Sequence, residues 1–146
     1  MFNKVTTSVR ILAAAGVEEA ASGHPGMPLG MADVGTVLYK KFLKVSTHNP
    51  SWINRDRFIL SPGHGSMLLY SLLHLNGFDL TTDDLRNFRQ HNSKTPGHPE
   101  LDSSLGIDMT TGPLGQGFST GVGFALAEKY LSELLGEDMI DHFTYG

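Results

Sequence analysis

The chain has 146 residues, of which 40% are apolar and 18% charged, with a net charge of −4. That is the size and balance of one globular domain; it excludes a disordered segment, and with no run of Lys or Arg it excludes wholesale nucleic-acid binding. The absence of cysteine excludes a disulfide-stapled scaffold, a thiolate metal site and a cysteine nucleophile.

Residues 4–22 read as an amphipathic helix, because Val5, Val9, Leu12, Gly16 and Ala20 recur at three- and four-residue steps. Gly23 stands where a helix would end on a left-handed residue. Arg10 interrupts the apolar stretch and Glu18 and Glu19 follow it, so no signal peptide is expected. No apolar run approaches the roughly 18 residues of a membrane span, so no membrane partner is expected and a cytoplasmic protein is.

A second helix is predicted from Pro28 to about Leu43, with Met31, Val34, Leu38 and Phe42 on one face and Lys40, Lys41 and Lys44 near its C-terminal end. Residues 57–61, Arg-Phe-Ile-Leu-Ser, are short, apolar and bounded by Pro62-Gly63, which predicts a buried parallel strand. A nearly all-apolar helix should follow from Ser66 to Asn76, with Gly77 as its cap. Thr82 then reads as the N-cap of a short helix carrying Asp83 and Asp84 in its first turn.

Residues 91–117 hold no convincing period and are rich in glycine and proline; a loop this long inside a compact domain is usually functional. A last helix is predicted from about Phe118 to Leu135, with Phe124, Ala127, Leu131 and Leu134 as its apolar face and Gly136 as its stop. Phe143-Thr144-Tyr145 looks like the start of another strand, so the chain is expected to be part of a longer one. Strand, glycine turn and helix together imply an α/β fold: an open parallel sheet with helices on both faces, with ligands at the carboxyl ends of the strands.

Three histidines sit in glycine/proline settings: Ser22-Gly23-His24-Pro25-Gly26, Ser61-Pro62-Gly63-His64-Gly65 and Thr95-Pro96-Gly97-His98-Pro99-Glu100. Glycine beside a loop histidine opens the ring and the backbone to a ligand, and proline holds the turn still. An imidazole can donate, accept or carry charge near neutral pH. His48, His74, His91 and His142 lack that context and read as structural or surface groups. Zinc is disfavoured, since the three motifs are tens of residues apart rather than at ligand spacing on one element.

A fourth motif, Thr110-Thr111-Gly112-Pro113-Leu114-Gly115-Gln116-Gly117, opens the last helix, whose N-terminus favours anionic groups. It lacks the G-x-G-x-x-G spacing of dinucleotide loops. A tight turn with close helix packing accounts for Gly117 and Gly121, but not for Leu114 flanked by glycines, which suits the support of a ligand ring.

These four segments, with Asn54-Arg55-Asp56-Arg57-Phe58 leading into the second, resemble the transketolase family in order and spacing, over essentially the whole chain. The resemblance implies the truncated diphosphate-binding domain of a thiamine diphosphate-binding fold, in an enzyme that moves a two-carbon ketol unit between phosphorylated sugars in the pentose phosphate pathway. It implies that His64 contacts the diphosphate side of thiamine diphosphate and that Gly112, Pro113 and Leu114 hold that cofactor bent. It implies that His24 and His98 reach the substrate near the reacting carbons as catalytic and substrate-binding groups. It also implies a Mg2+ or Ca2+ ion whose ligands come after residue 146, no metal ligand within this chain, and a homodimer or a separate C-terminal subunit as partner. A dihydroxyacetone synthase-like ketol transferase, or a non-catalytic phosphate- or metabolite-binding module on the same fold, is the competing reading.

Overall fold

A computed structural model describes residues 2–146. Helix α1 spans Phe2–Glu19, and α2 spans Gly26–Val37 and continues as a wider turn over Leu38–Phe42. Strand β1 is Arg57–Phe58, followed by the tight turn Gly63–Gly65 and helix α3, Ser66–Leu75. Helix α4 is Thr82–Arg86, α5 is Gln116–Leu135, and β2 is Thr144–Tyr145. Among the described residues no helix is long and apolar enough to cross a membrane.

The two strands are parallel, with Arg57 opposite Thr144 and Phe58 opposite Tyr145. Their ladder includes Arg57 N–H to the Phe143 carbonyl and Ile59 N–H to the Tyr145 carbonyl, each 2.8 Å. Side chains alternate across a strand. Leu60 joins the core built by α1, α2 and α3, and Phe58 packs against it, whereas Ile59 turns toward Gly121 of α5. Helices therefore cover both faces of the sheet, as the sequence predicts.

The centre of the core is α3, in which every residue from Ser66 to Leu73 is buried. α1 lays Val9, Ala13 and Gly16 against it. Gly16 packs tightly there, since a Cβ would stand 2.5 Å from the Met67 methyl, which would have to swing aside.

The structure corrects three local expectations. α2 begins at Gly26, two residues ahead of Pro28, and buries Pro28, Ala32, Gly35 and Thr36 rather than the predicted Met31–Val34–Leu38–Phe42 face, of which Leu38 is part-buried and the other three are exposed. Gly35 lets the helix approach α3, where a Cβ would lie 2.7 Å from a Leu72 methyl. α1 ends before Gly23, with Ala21 already left-handed at φ 46°. The N-cap of α4 is Thr81, not Thr82. Its hydroxyl accepts the Asp84 N–H at 3.1 Å, and the Asp84 carboxylate accepts the Thr81 N–H at 2.7 Å. Only Thr81 has an acid three residues on, which the reciprocal cap requires.

The outer helix α5 is different in kind. Of its twenty residues only Gly117 and Ser132 are buried. Phe118, Val122, Leu126, Tyr130 and Leu134, four apart and so on one face, are each 60–70% exposed. The face predicted from Phe124, Ala127, Leu131 and Leu134 is only half turned inward: Phe124 and Leu131 are part-buried, Ala127 and Leu134 exposed.

Candidate active site

β1 aims its carboxyl end at Ser61-Pro62-Gly63-His64-Gly65, and the remaining motifs gather around that turn. The rings of His24 and His64 meet edge to face, 5.1 Å between centroids. A Cβ on Gly63 would stand 2.9 Å from the Gly112 nitrogen and 2.7 Å from the Thr111 hydroxyl, so only glycine lets the two loops touch. Where a Cβ would project from Gly112, the His98 ring lies 3.6 Å away. His24, His64, Gly112 and His98, up to 88 positions apart in sequence, thus form one continuous cluster.

The loops are fastened from below. Ser66 Oγ donates to the Gly97 carbonyl and Tyr70 Oη to the Pro96 carbonyl, both at 2.8 Å, which hangs the His98 loop from α3. Burial, and then Glu100, push the Tyr70 phenol above its ordinary range, so it remains a donor. Thr95 Oγ1 donates to the Asp84 carbonyl at 2.7 Å. Arg89, left-handed at φ 63°, reaches across to donate to Ser22 Oγ at 3.0 Å and joins the His98 loop to the His24 loop. This link depends on backbone geometry at Arg89 that no periodicity announces.

The fourth motif forms the remaining wall. Gly115 is left-handed at φ 86° and caps α5 without a side-chain hydrogen bond. Phe118 N–H donates to Ser61 Oγ at 2.9 Å. Gly117 sits so close to β1 that a Cβ would come 2.5 Å from Ser61 Cα. Pro113 and Leu114 project from this turn, and Leu114 is 78% exposed. An apolar side chain held out by a rigid turn is a surface for a ligand ring. The Thr111 hydroxyl is buried without a partner. The residues present therefore fit a ligand with an anionic group and an apolar ring: a helix start opened by Gly115, a glycine-lined backbone, an orphaned hydroxyl and a presented leucine.

The other histidines lie away from this cluster. His74 Nδ1 is 2.6 Å from the Leu80 carbonyl and closes the turn after α3. His142 packs near Arg57, and burial, followed by that guanidinium, lowers its pKa from the usual 6.5. Among the described residues no three His, Asp or Glu side chains converge on a metal position.

The family model for the transketolase thiamine diphosphate binding domain matches residues 2–146. The transketolase of Buchnera aphidicola (subspecies Schizaphis graminum) is 56% identical over 145 residues, which cover 97% of this chain and 22% of that protein. Transketolase 1 of Escherichia coli K12 is 54% identical over the same length and shares. A crystal structure of transketolase from Campylobacter jejuni superposes with a TM-score of 0.95 at 54% identity, over 99% of this chain and 22% of that one. Transketolase from Pichia stipitis in complex with sedoheptulose 7-phosphate superposes at 0.93 with 48% identity, again over 99% and 22%. The chain spans about a fifth (22%) of the length of these relatives. By fold, by motif and by sequence, it belongs to the transketolase thiamine diphosphate binding domain family.

Proposed function

We propose that this chain is the N-terminal part of the diphosphate-binding domain of a transketolase, acting within a longer or two-subunit enzyme. The reaction transfers a two-carbon ketol unit from a ketose phosphate such as xylulose 5-phosphate to an aldose phosphate such as ribose 5-phosphate, in the pentose phosphate pathway. The observation that carries this reading is the convergence of three glycine/proline-set histidines and the Gly112-Pro113-Leu114 turn at the carboxyl end of β1.

In this reading His64 and the Gly112-Pro113-Leu114 backbone hold thiamine diphosphate, and Leu114 supports its ring. Bound there, the cofactor supplies the carbanion chemistry that makes and breaks the ketol carbon–carbon bond. His24 and His98, both exposed at the mouth of the cluster, orient the sugar hydroxyls. Their ring nitrogens donate to oxygens that gain negative charge, and pass protons to and from them. Ser66 and Tyr70 keep the His98 loop from wandering, so less order has to be imposed when substrate binds. Mg2+ or Ca2+ would be held by groups outside residues 1–146. A homodimer, or pairing with a separate C-terminal subunit, is supported by the unpaired apolar face of α5. The enzyme is proposed to be cytoplasmic.

The test is a ketol-transfer assay on the complete protein with xylulose 5-phosphate and ribose 5-phosphate, with and without thiamine diphosphate and Mg2+. Cofactor-dependent formation of sedoheptulose 7-phosphate is the expected result. Absence of both transfer and cofactor binding would overturn the proposal in favour of a non-catalytic module.

A further inference from the structure

Asp108 stands at the centre of a buried charge knot with Arg55 and Arg57, side chains given no role in the site described above. Asp108 Oδ1 accepts Arg55 Nη2 at 2.5 Å, and Asp108 Oδ2 accepts Arg55 Nη1 at 3.1 Å, a two-pronged pair with side chains only 4% and 8% exposed. The same Oδ2 accepts the Phe58 N–H of β1 at 3.1 Å. Arg57 Nε stands 4.0 Å from Oδ1. One carboxylate therefore answers two guanidiniums and a strand amide. Asp56, fully buried beside them, cannot replace it, because its two oxygens accept the Lys44 and Phe143 amides at 2.7 and 2.8 Å.

The place of Asp108 in the chain gives this knot a consequence for the site. From Phe58 the backbone runs six residues up to His64; from Asp108 it runs four residues up to Gly112. The two runs start at the same carboxylate and meet again where Gly63 packs on Thr111 and Gly112. Asp108 thus closes a ring whose far side is the contact between the two halves of the site. Its partner Arg55 is further fixed by donating to the Asp56 carbonyl at 3.0 Å.

We propose that Asp108 is a positioning residue for the cofactor site: through Arg55 and the Phe58 amide it sets the spacing between the His64 turn and the Gly112-Pro113-Leu114 turn. Its hydrogen-bond partners are Arg55 and the Phe58 amide, neither of them a residue assigned to cofactor or substrate, and the proposal rests on the functional reading above. Loss of its charge leaves two poorly solvated cations facing each other and frees the start of the 109–115 loop.

The test uses the complete protein and has two readouts. The first is hydrogen exchange of the Thr111 amide, which the Pro99 carbonyl holds at 3.1 Å. The second is the thiamine diphosphate dissociation constant by calorimetry in the presence of Mg2+. Asp108→Asn is expected to speed exchange at Thr111 while α3 keeps its protection. It should weaken cofactor binding by on the order of 10-fold or more, as sub-ångström misplacement does, and leave the KM for the sugar phosphates unchanged. Asp108→Glu, which keeps the carboxylate, should restore most of the affinity. Leu85→Ala, a core truncation away from the knot, should lower the thermal midpoint without moving the dissociation constant.

If Asp108→Asn does not fold, the double variant Arg55→Gln with Asp108→Asn removes the uncompensated pair of charges and carries the same expectation. Wild-type exchange at Thr111 with wild-type affinity, in whichever of these folds, overturns the proposal. So does an affinity that falls equally in Leu85→Ala, because binding would then merely follow stability. A wild-type protein that binds no thiamine diphosphate would instead defeat the functional reading, and the exchange measurement would still decide whether Asp108 holds the loop.

Discussion

α3 and α5 flank the same strand and frame the same site, yet they are stabilised in opposite ways. α3 buries eight consecutive residues within this chain, whereas α5 buries two of its twenty and presents an apolar stripe to solvent. The loops bearing His64 and His98 hang from the self-sufficient helix; the turn bearing Leu114 leads into the helix whose apolar face this chain does not cover. The histidine half of the cluster is built by local packing, while the half that carries Leu114 relies on whatever covers α5. Truncating an apolar side chain in these two helices should therefore have unlike effects, and should have like effects once α5 is covered.

The largest effect is expected on the histidine side. His98→Ala in the complete protein should lower turnover by about 100-fold or more, the usual worth of a positioned proton-transfer group, with little change in cofactor affinity. Steady-state kinetics beside a cofactor titration checks this, and wild-type turnover would remove His98 from the catalytic set.

Next in size, Leu72→Ala opens a cavity between α3 and Gly35 of α2 and should cost about 2–5 kcal/mol in denaturant unfolding. Leu126→Ala on the α5 stripe should cost less than about 0.5 kcal/mol in the 146-residue chain, and an amount closer to the Leu72 value in the complete protein. Equal small costs in both settings would mean that nothing covers the stripe.

Gly117→Ala probes the junction between the regions. Its methyl would meet the Ser61 backbone, which cannot swing aside as a side-chain tip can. A loss of about 1–3 kcal/mol is expected, together with weaker cofactor binding. A variant of unchanged stability would show that α5 does not press on β1 as described.

The smallest effect is a pH dependence at the sheet. The pKa of His142 in the folded chain lies below its ordinary value, through burial and then Arg57, so the unfolded chain binds the proton more readily. Stability is then fully present above pH ~6.5 and declines as pH falls below it toward the folded value. His142→Gln should flatten that slope in urea titrations between pH 7 and pH 5; an unaltered slope would assign it to other groups.

Much of this was legible in the sequence because several signals agreed. The run 67–73 leaves little polar face, so burial of α3 followed without any tertiary knowledge. The four glycine-rich motifs located the walls of the site, since glycine and proline in those numbers are uncommon except where loops touch. The inward face of α2 was not legible. Met31, Val34, Leu38 and Phe42 form the larger apolar stripe, but close approach to α3 selects the small residues Ala32, Gly35 and Thr36, and size complementarity cannot be read from one helix alone. The N-cap of α4 was readable in principle from Thr81 and Asp84, three apart, but two adjacent threonines compete for the role. Arg89 and Asp108 were not legible for a related reason: each acts through a partner more than fifty positions away. The one local hint was the charged run 55–57, Arg-Asp-Arg, leading into the apolar segment Phe58-Ile59-Leu60, where burial of Arg55 and Asp56 demands counter-charges from elsewhere.

The most direct test of the central claim, that the turn entering α5 completes a thiamine diphosphate site begun by the histidine loops, is a calorimetric titration of the cofactor with Mg2+ into the complete protein, wild type beside Leu114→Gly. Saturable binding by the wild type and clearly weaker binding by the variant are expected, through lost apolar contact and a looser turn. Equal affinities would contradict the role given to Leu114, and no binding by the wild type would contradict the site itself.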